Sequence, residues 1–297
     1  MKEIIIGSRG SDLALWQANF VQSSLSKLGY PSKIKIIKTQ GDLIQHLSFD
    51  KLEGKGFFTK EIEDSLLNGE IDLAVHSHKD LETNSPEELL IAAVPQRANP
   101  EDVLIIKKNS VDLESKWRLK PNSIVGTSSA RRKSQLIALR SDVKTKDLRG
   151  NVPTRIQKLR DGNYDAILLA KAGTDRLKID LSEFEVVVLD PSEFVPAPAQ
   201  GALGLQIRTS HSELASILEK MNDSDVKRRI DMERKVLNLL EGGCQMPLGA
   251  YCNNNDELFI SFANNLDSER IFIKYQVSDF DAMPEIVIAD LKDRLVQ

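Results

Sequence analysis

Apolar and polar positions along this chain repeat with two periods, and the switches between them mark out its elements. Ile4-Ile5-Ile6 is a short apolar run that predicts a strand over residues 3–7. Ser11-Asp12 then supplies a helix N-cap, Leu13, Trp16, Phe20 and Leu28 form an apolar face, and Gly29 stands at the C-cap. Residues 33–38 read as a strand, 58–68 as a helix closed by Gly69, and 71–75 as another strand.

The pattern restarts after Pro95 and Pro100. Strands are predicted at 103–106, 123–126, 164–169 and 186–189, with helices running to about residue 139 and over 153–160, the second with Pro153 near its first turn. Pro191, Pro196 and Pro198 mark a return crossing, and 199–205 reads as a strand going back to the first domain. From about residue 212 the character changes. A long helix with Val226, Ile230, Val236 and Leu240 ends at Gly242-Gly243, followed by strands near 247–252, 257–263 and 271–276 and a helix around 281–295. The expected fold class is therefore α/β. Two domains with mainly parallel sheets (1–97 with 197–215, and 98–196) surround a cleft, and a small α+β domain (216–297) follows. Ligands of such sheets bind beyond the carboxyl ends of the strands, at helix N-termini.

Composition narrows the classes. The 297 residues are 41% hydrophobic and 28% charged, as in folded multidomain chains. No apolar run is long enough to span a membrane, and the N-terminus, acidic by Glu3, does not read as a signal peptide; a cytoplasmic protein without a membrane partner is expected. Two cysteines, Cys244 and Cys252, make no disulfide framework, and with no CxxC or HExxH present no metal is expected. Net charge is −4, yet residues 131–160 hold ten basic residues against Asp142 and Asp147. A concentrated positive region in an acidic chain points to a small polyanionic ligand. Aromatic residues are only 5% and do not interleave with the basic ones, which argues against nucleic acid.

Three strand-end loops carry candidate chemistry: Ser8-Arg9-Gly10-Ser11, His76-Ser77-His78-Lys79-Asp80 and Gly126-Thr127-Ser128-Ser129-Ala130-Arg131-Arg132. Each joins hydroxyls or backbone amides at a helix start to a cation, which suits carboxylate or phosphate binding. Taken singly, each reads equally well as ordinary capping with solvated charges. Arg149 and Arg155 flank a further helix start, where a cation opposes the helix dipole and a bound anion would remove the conflict. Asp80 is able to stabilise a cationic intermediate, although spacing alone favours a cap or a salt bridge. Cys244 follows two glycines, as an approachable nucleophile would; a small buried residue is the commoner fate of a lone cysteine.

The combined motifs resemble the porphobilinogen deaminase family. They are Gly7-Ser8-Arg9-Gly10-Ser11, Thr39-Gln40-Gly41-Asp42, Gly54-Lys55-Gly56-Phe57-Phe58-Thr59-Lys60-Glu61, Ala74-Val75-His76-Ser77 with Lys79-Asp80, and Gly126-Thr127-Ser128-Ser129 with Arg131-Arg132. Leu148-Arg149-Gly150-Asn151 with Thr154-Arg155, Pro198-Ala199-Gln200-Gly201-Ala202-Leu203-Gly204 and Leu240-Glu241-Gly242-Gly243-Cys244-Gln245 complete the series. The resemblance implies two lobes like those of type II periplasmic binding proteins. It also implies a dipyrromethane cofactor held on Cys244 by a thioether, and a monomer that condenses four porphobilinogen molecules into hydroxymethylbilane with release of ammonia. Lys79, Asp80, Ser128, Ser129, Arg131, Arg132 and Gly150 would contact the cofactor, with Asp80 catalytic. Arg9, Ser11, Arg149, Arg155, Arg176 and Gln200 would receive substrate, and Lys55 would sit on a mobile lid. His78 and Glu82 depart from the family pattern, which commonly has an apolar residue and a proline there. The rival reading, a two-lobed anion receptor, shares the arginines but leaves the Leu-Glu-Gly-Gly-Cys motif and the third domain unexplained.

Overall fold

The computed structural model describes residues 3–39, 59–240, 246–266 and 268–296, so Lys55 and Cys244 lie outside the described residues. In chain order the elements begin with β1 (Ile4–Ser8), α1 (Asp12–Lys27), β2 (Ser32–Ile36), α2 (Lys60–Leu67), β3 (Leu73–Ser77) and β4 (Leu89–Ala93). Next come β5 (Asp102–Lys107), β6 (Ile124–Gly126), α3 (Ala130–Leu139), β7 (Lys144–Lys146), α4 (Val152–Arg160), β8 (Ala166–Ala170), α5 (Lys171–Leu177) and β9 (Phe184–Val188). The last are β10 (Leu203–Arg208), α6 (Ser212–Leu218), α7 (Ser224–Leu239), β11 (Leu248–Cys252), β12 (Glu257–Phe262), β13 (Ile271–Gln276) and α8 (Met283–Val296). The chain divides into two compact units, Met1–Ala98 with Ala202–Arg228, and Asn99–Gly201 with Arg229–Gln297.

The first unit is built on a sheet of order β2-β1-β3-β10-β4, the second on one of order β7-β6-β8-β5-β9. The two follow one plan. β1 is parallel to β2 and β3, as β6 is to β7 and β8, while β10 and β5 run antiparallel to both of their neighbours. Each sheet is thus mainly parallel, with its odd strand the first one laid down after the chain crosses into that unit. The odd strand begins where its neighbours end: Leu203 pairs with Ser77, and Asp102 with Ala170. The residues entering β5 and β10 therefore share an edge with the loops that leave the parallel strands. β5 shows why the sheet is covered on both faces: Leu104, Ile105 and Ile106 are wholly buried in succession.

Several expectations need correction. The packed face of α1 is Gln17, Ala18, Val21 and Leu25, not the Leu13–Trp16–Phe20–Leu28 stripe. Two stripes compete on this helix, and the smaller residues fit against the sheet. Trp16 and Phe20 instead stack on each other at 5.7 Å, and Phe20 and Leu28 stay about 40% exposed. Residues 199–201 are not strand. Ala199 and Gly201 adopt φ of 62° and 88°, a left-handed turn before β10 starts at Leu203. β4, β7, α5 and α6 were not anticipated: β4 lacks period-two alternation, β7 is only the polar run Lys144-Thr145-Lys146, and the seven residues of α5 follow β8 without an intervening turn.

The C-terminal sheet is an antiparallel meander, β11-β12-β13. One face packs Leu248, Ala250, Ile260 and Ile273 against Val236 of α7 and Val287 and Leu291 of α8, giving this region its own core. No helix of the described residues is long and apolar enough to cross a membrane.

Candidate active site

In the first unit β1 ends at Ser8, whose single hydroxyl proton is shared between the carbonyls of Arg9 and Ala14, each 3.1 Å away, and so fixes the turn into α1. Ser11 is the N-cap, accepting the Ala14 N–H at 3.4 Å. The hydroxyl expected to meet substrate therefore also caps the helix, and Arg9 stands half-buried beside it. β3 runs into a single 3-10 turn, His78–Asp80, pinned by the His78 N–H to the Ala202 carbonyl at 3.0 Å. That turn buries His78, half-buries Lys79 and leaves Asp80 exposed beyond the strand ends. The departure at His78 thus puts a histidine in the interior, close to the apolar role that the family pattern has there.

A buried polar chain supports the strand that carries Asp80. His76 Nε2 lies 3.0 Å from Gln206 Oε1, and Gln206 Nε2 donates to Glu63 at 2.8 Å. Because the Gln206 amide nitrogen faces Glu63, its oxygen faces His76, so the imidazole proton sits on Nε2. Burial pulls the His76 pKa down to about 4, against the opposing bond to Gln206, so the ring is neutral in the folded protein. An unfolded chain takes up that proton near the ordinary histidine value of about 6.5. This group's contribution to stability is complete above that value and is lost as pH falls toward 4, on the order of 3 kcal/mol. Urea unfolding from pH 7.5 to 4.5 is expected to show the loss. His76→Gln, which has no titrating ring, is expected to flatten the profile.

In the second unit three parallel strands end side by side, and their loops carry the basic residues. Ser129 caps α3 through the Arg132 N–H at 3.4 Å, and Asn151 caps α4 through the Thr154 N–H at 2.9 Å. The loops after β6 and β7 are tied together by Ser128, whose hydroxyl donates to the Leu148 carbonyl and accepts the Leu148 N–H, both at 3.0 Å. Gly150 holds φ at 113° and lies so near Thr154 that a Cβ would come within 2.7 Å of it, so only glycine turns the chain here. Arg155 Nε donates to the Gly150 carbonyl at 2.7 Å, and Arg176 to that of Gly201 at 2.8 Å. Carbonyl contacts orient a guanidinium and leave its charge in place. Burial lowers the Arg176 pKa to about 10, which still keeps it cationic near neutral pH. Arg149 is half-buried, and its carbonyl accepts from Lys158 at 3.0 Å.

Arg131, Arg132 and Gln200 are interior residues rather than loop cations. Both guanidinium groups are almost wholly buried and share Asp102, the first residue of β5, itself 0% exposed. Asp102 Oδ2 accepts from Arg131 at 2.8 Å, and Oδ1 accepts from Arg132 Nε and Nη2 at 3.1 and 2.7 Å and from Gln200 at 2.9 Å. Four donors saturate the carboxylate. Burial opposes its charge, but Arg131 and then Arg132 overcome the penalty and hold the carboxyl well below the usual range. Two cations facing one anion leave an excess of one positive charge at this site, and Arg131 Nε is buried with no hydrogen-bond acceptor among the described residues. The sequence reading missed Asp102; its signal was a charged residue opening the uniformly apolar run of β5.

Mixed α/β units, each with cationic loops and helix starts along the carboxyl edge of its sheet, define a protein equipped for multiply charged organic anions. A family model described as "Porphobilinogen deaminase, dipyromethane cofactor binding domain" matches residues 4–216, and a second, "Porphobilinogen deaminase, C-terminal domain", matches 227–292. The porphobilinogen deaminase of Maridesulfovibrio salexigens is 42% identical over 96% of this chain and 88% of its own length. That of Bacillus cereus is 41% identical over 100% of this chain and 95% of its own. The chain belongs to the porphobilinogen deaminase family, and so to the enzymes of porphyrin synthesis. Among solved structures, the periplasmic VFT2 domain of Bordetella pertussis BvgS matches 73% of this chain and 86% of that one, at 14% identity and a TM-score of 0.43.

Proposed function

We propose that this enzyme is a transferase that condenses four porphobilinogen molecules head to tail and then releases the linear tetrapyrrole, hydroxymethylbilane, by hydrolysis. The observation that carries this reading is the match of residues 4–216 to a dipyrromethane cofactor-binding domain. The residues present fit that group. Its pyrroles bear acetate and propionate arms, and the second unit holds a buried positive excess and a buried Arg131 Nε–H without an acceptor among the described residues. Cys244 would attach the cofactor through a thioether. Lys79, Ser128, Ser129, Arg131, Arg132 and Gly150 would hold it, and when bound it supplies the nucleophilic pyrrole carbon on which the chain starts.

The remaining roles belong to the protein. Arg9, Ser11, Arg149, Arg155, Arg176 and Gln200 would receive substrate carboxylates, with arginine favoured for its bidentate geometry. Asp80, exposed at the end of its turn, would stabilise the positive charge that develops as ammonia leaves porphobilinogen. Gln200 would have to exchange one of its bonds to Pro100 and Asp102 to receive substrate. The reading places the enzyme in the cytoplasm as a monomer, with neither nucleic acid nor membrane as partner.

Intact mass of the purified protein beside Cys244→Ser tests it. The wild type is expected to carry an excess equal to two porphobilinogen units less two ammonias, and the variant none. An unmodified wild type that porphobilinogen neither loads nor activates would overturn the reading.

A further inference from the structure

Residues 195–201 are held from two directions within the second unit. On one side they build the arginine site. The Val195 carbonyl accepts from Arg131 Nη1 at 2.8 Å, and the Gln200 amide donates to Asp102 at 2.9 Å and to the Pro100 carbonyl at 2.7 Å. On the other side the C-terminal sheet and α7 grip them. The Ala250 N–H donates to the Pro196 carbonyl at 3.0 Å, and the buried Glu233 carboxylate accepts the N–H groups of Ala199 and Cys252, each at 2.8 Å. Gly249 approaches so closely that an added Cβ would lie 2.7 Å from the Val195 oxygen, so β11 bears directly on that carbonyl.

Gln135 stands where the two sides meet. It is 0% exposed on α3, and its carboxamide pairs with both backbone groups of Val195. Nε2 donates to the Val195 carbonyl at 2.9 Å, and Oε1 accepts the Val195 N–H at 2.7 Å. Arg270, at the entrance to β13, donates to the same Oε1 at 3.4 Å and is anchored on the Glu193 carbonyl and the Ser261 hydroxyl at 2.7 and 2.8 Å. The Val195 oxygen is thus fixed by a buried side chain and then used to fix Arg131. Asp102 and Val195 together take both hydrogens of Arg131 Nη1, and two acceptors on one nitrogen set the plane of the guanidinium. That plane decides where the Nε–H points. Arg132 does not use Val195; its contacts are Asp102 and the Leu168 carbonyl.

We propose that Gln135 is a positioning residue for Arg131: by holding the Val195 carbonyl it aims the Nε edge of the guanidinium at a cofactor carboxylate. The proposal rests on the reading of Arg131 as a cofactor ligand. It also gives the C-terminal sheet a hand in the site, through Gly249 and Arg270.

Gln135→Met keeps the volume and removes both bonds to Val195 and the one from Arg270. Gln135→Glu keeps the acceptor for the Val195 N–H and for Arg270 but cannot donate to the Val195 carbonyl; it serves if the methionine variant does not fold. Apoprotein from cells unable to make porphobilinogen is incubated with porphobilinogen, and the loaded fraction is read by intact mass. For either variant the porphobilinogen concentration giving half-loading is expected to rise roughly ten-fold, as for one misaimed charge-assisted hydrogen bond. The decisive readout is the double variant with Arg131→Lys. A residue acting through Arg131 has little further effect in that background, whereas a general loss of packing adds to it. Additive effects, or wild-type loading by both Gln135 variants while Arg131→Lys is impaired, would overturn the positioning role alone. Wild-type loading by Arg131→Lys would remove the reading beneath it.

Discussion

Asp102→Ala is expected to destabilise the protein by about 3–5 kcal/mol, the range for stripping one partner from a buried ion pair. Asp102 is the one carboxylate that Arg131 and Arg132 share, and all three side chains are at most 7% exposed. Without it two guanidinium groups remain desolvated with only neutral oxygens as partners among the described residues, the carbonyls of Val195 and Leu168 and the Gln200 carboxamide. Asp102→Asn is expected to do little better, since its amide nitrogen would face cations. Because the folded carboxyl is held well below its ordinary range, its contribution is in place above the unfolded value near 4 and is lost only as pH falls below it. The loss tied to His76 falls higher, between about pH 6.5 and 4. Asp147→Asn supplies the contrast: that carboxylate pairs with Lys133 at 2.6 Å but is 53% exposed, and its loss is expected to cost 1 kcal/mol or less. Urea unfolding of the three variants at pH 7 is the measurement. Equal stabilities for Asp102→Ala and Asp147→Asn would mean that the arginine pair is solvated.

The local signals in the sequence located most of the elements but not their depth. Ser11, Gly29 and Gly69 mark helix ends as the cap rules predict, because a cap is read from neighbouring residues. The strand-end position of Arg9, Lys79, Asp80 and Ser128 was equally legible, since each lies in a turn that follows an apolar run, whereas Arg149 was legible only as a helix start because β7 before it is polar. What stayed hidden depends on partners distant in sequence. Arg131 and a solvated surface arginine are identical as letters, and only Asp102, about thirty residues upstream, makes one of them interior. The same holds for Gln135, paired with Val195 sixty residues on, and for Glu233, which clamps Ala199. The α1 error has another cause: two apolar stripes fit one helix, and only the shape of the sheet chooses between them. Sheet direction was half legible, because short loops betray parallel neighbours through their helices, while β5 and β10 enter after long crossings.

Asp80→Asn is expected to lower the turnover of fully loaded enzyme about 100- to 1000-fold while leaving the fold untouched. The size follows from the role proposed for it: removing one preorganised group from a developing charge costs a factor of that order. The sparing of the fold follows from position. Asp80 is exposed at the end of a single 3-10 turn, and the bond that pins this turn runs from the His78 backbone to the Ala202 carbonyl, not through the carboxylate. Substitutions at such sites usually stay within about 0.5 kcal/mol. Asparagine keeps the size and a hydrogen-bond acceptor and deletes only the negative charge, so it separates electrostatic stabilisation from shape. Asp80→Glu keeps the charge but moves it by a methylene, and is expected to fall between asparagine and wild type. Ammonia release should be measured on protein whose intact mass confirms the cofactor, which separates failure to load from failure to turn over. A loaded Asp80→Asn enzyme within three-fold of the wild-type rate would move the stabilising role away from Asp80. The cationic step would then rest on the exclusion of water and the electron-rich pyrrole, with Asp80 no more than a surface carboxylate at the strand edge.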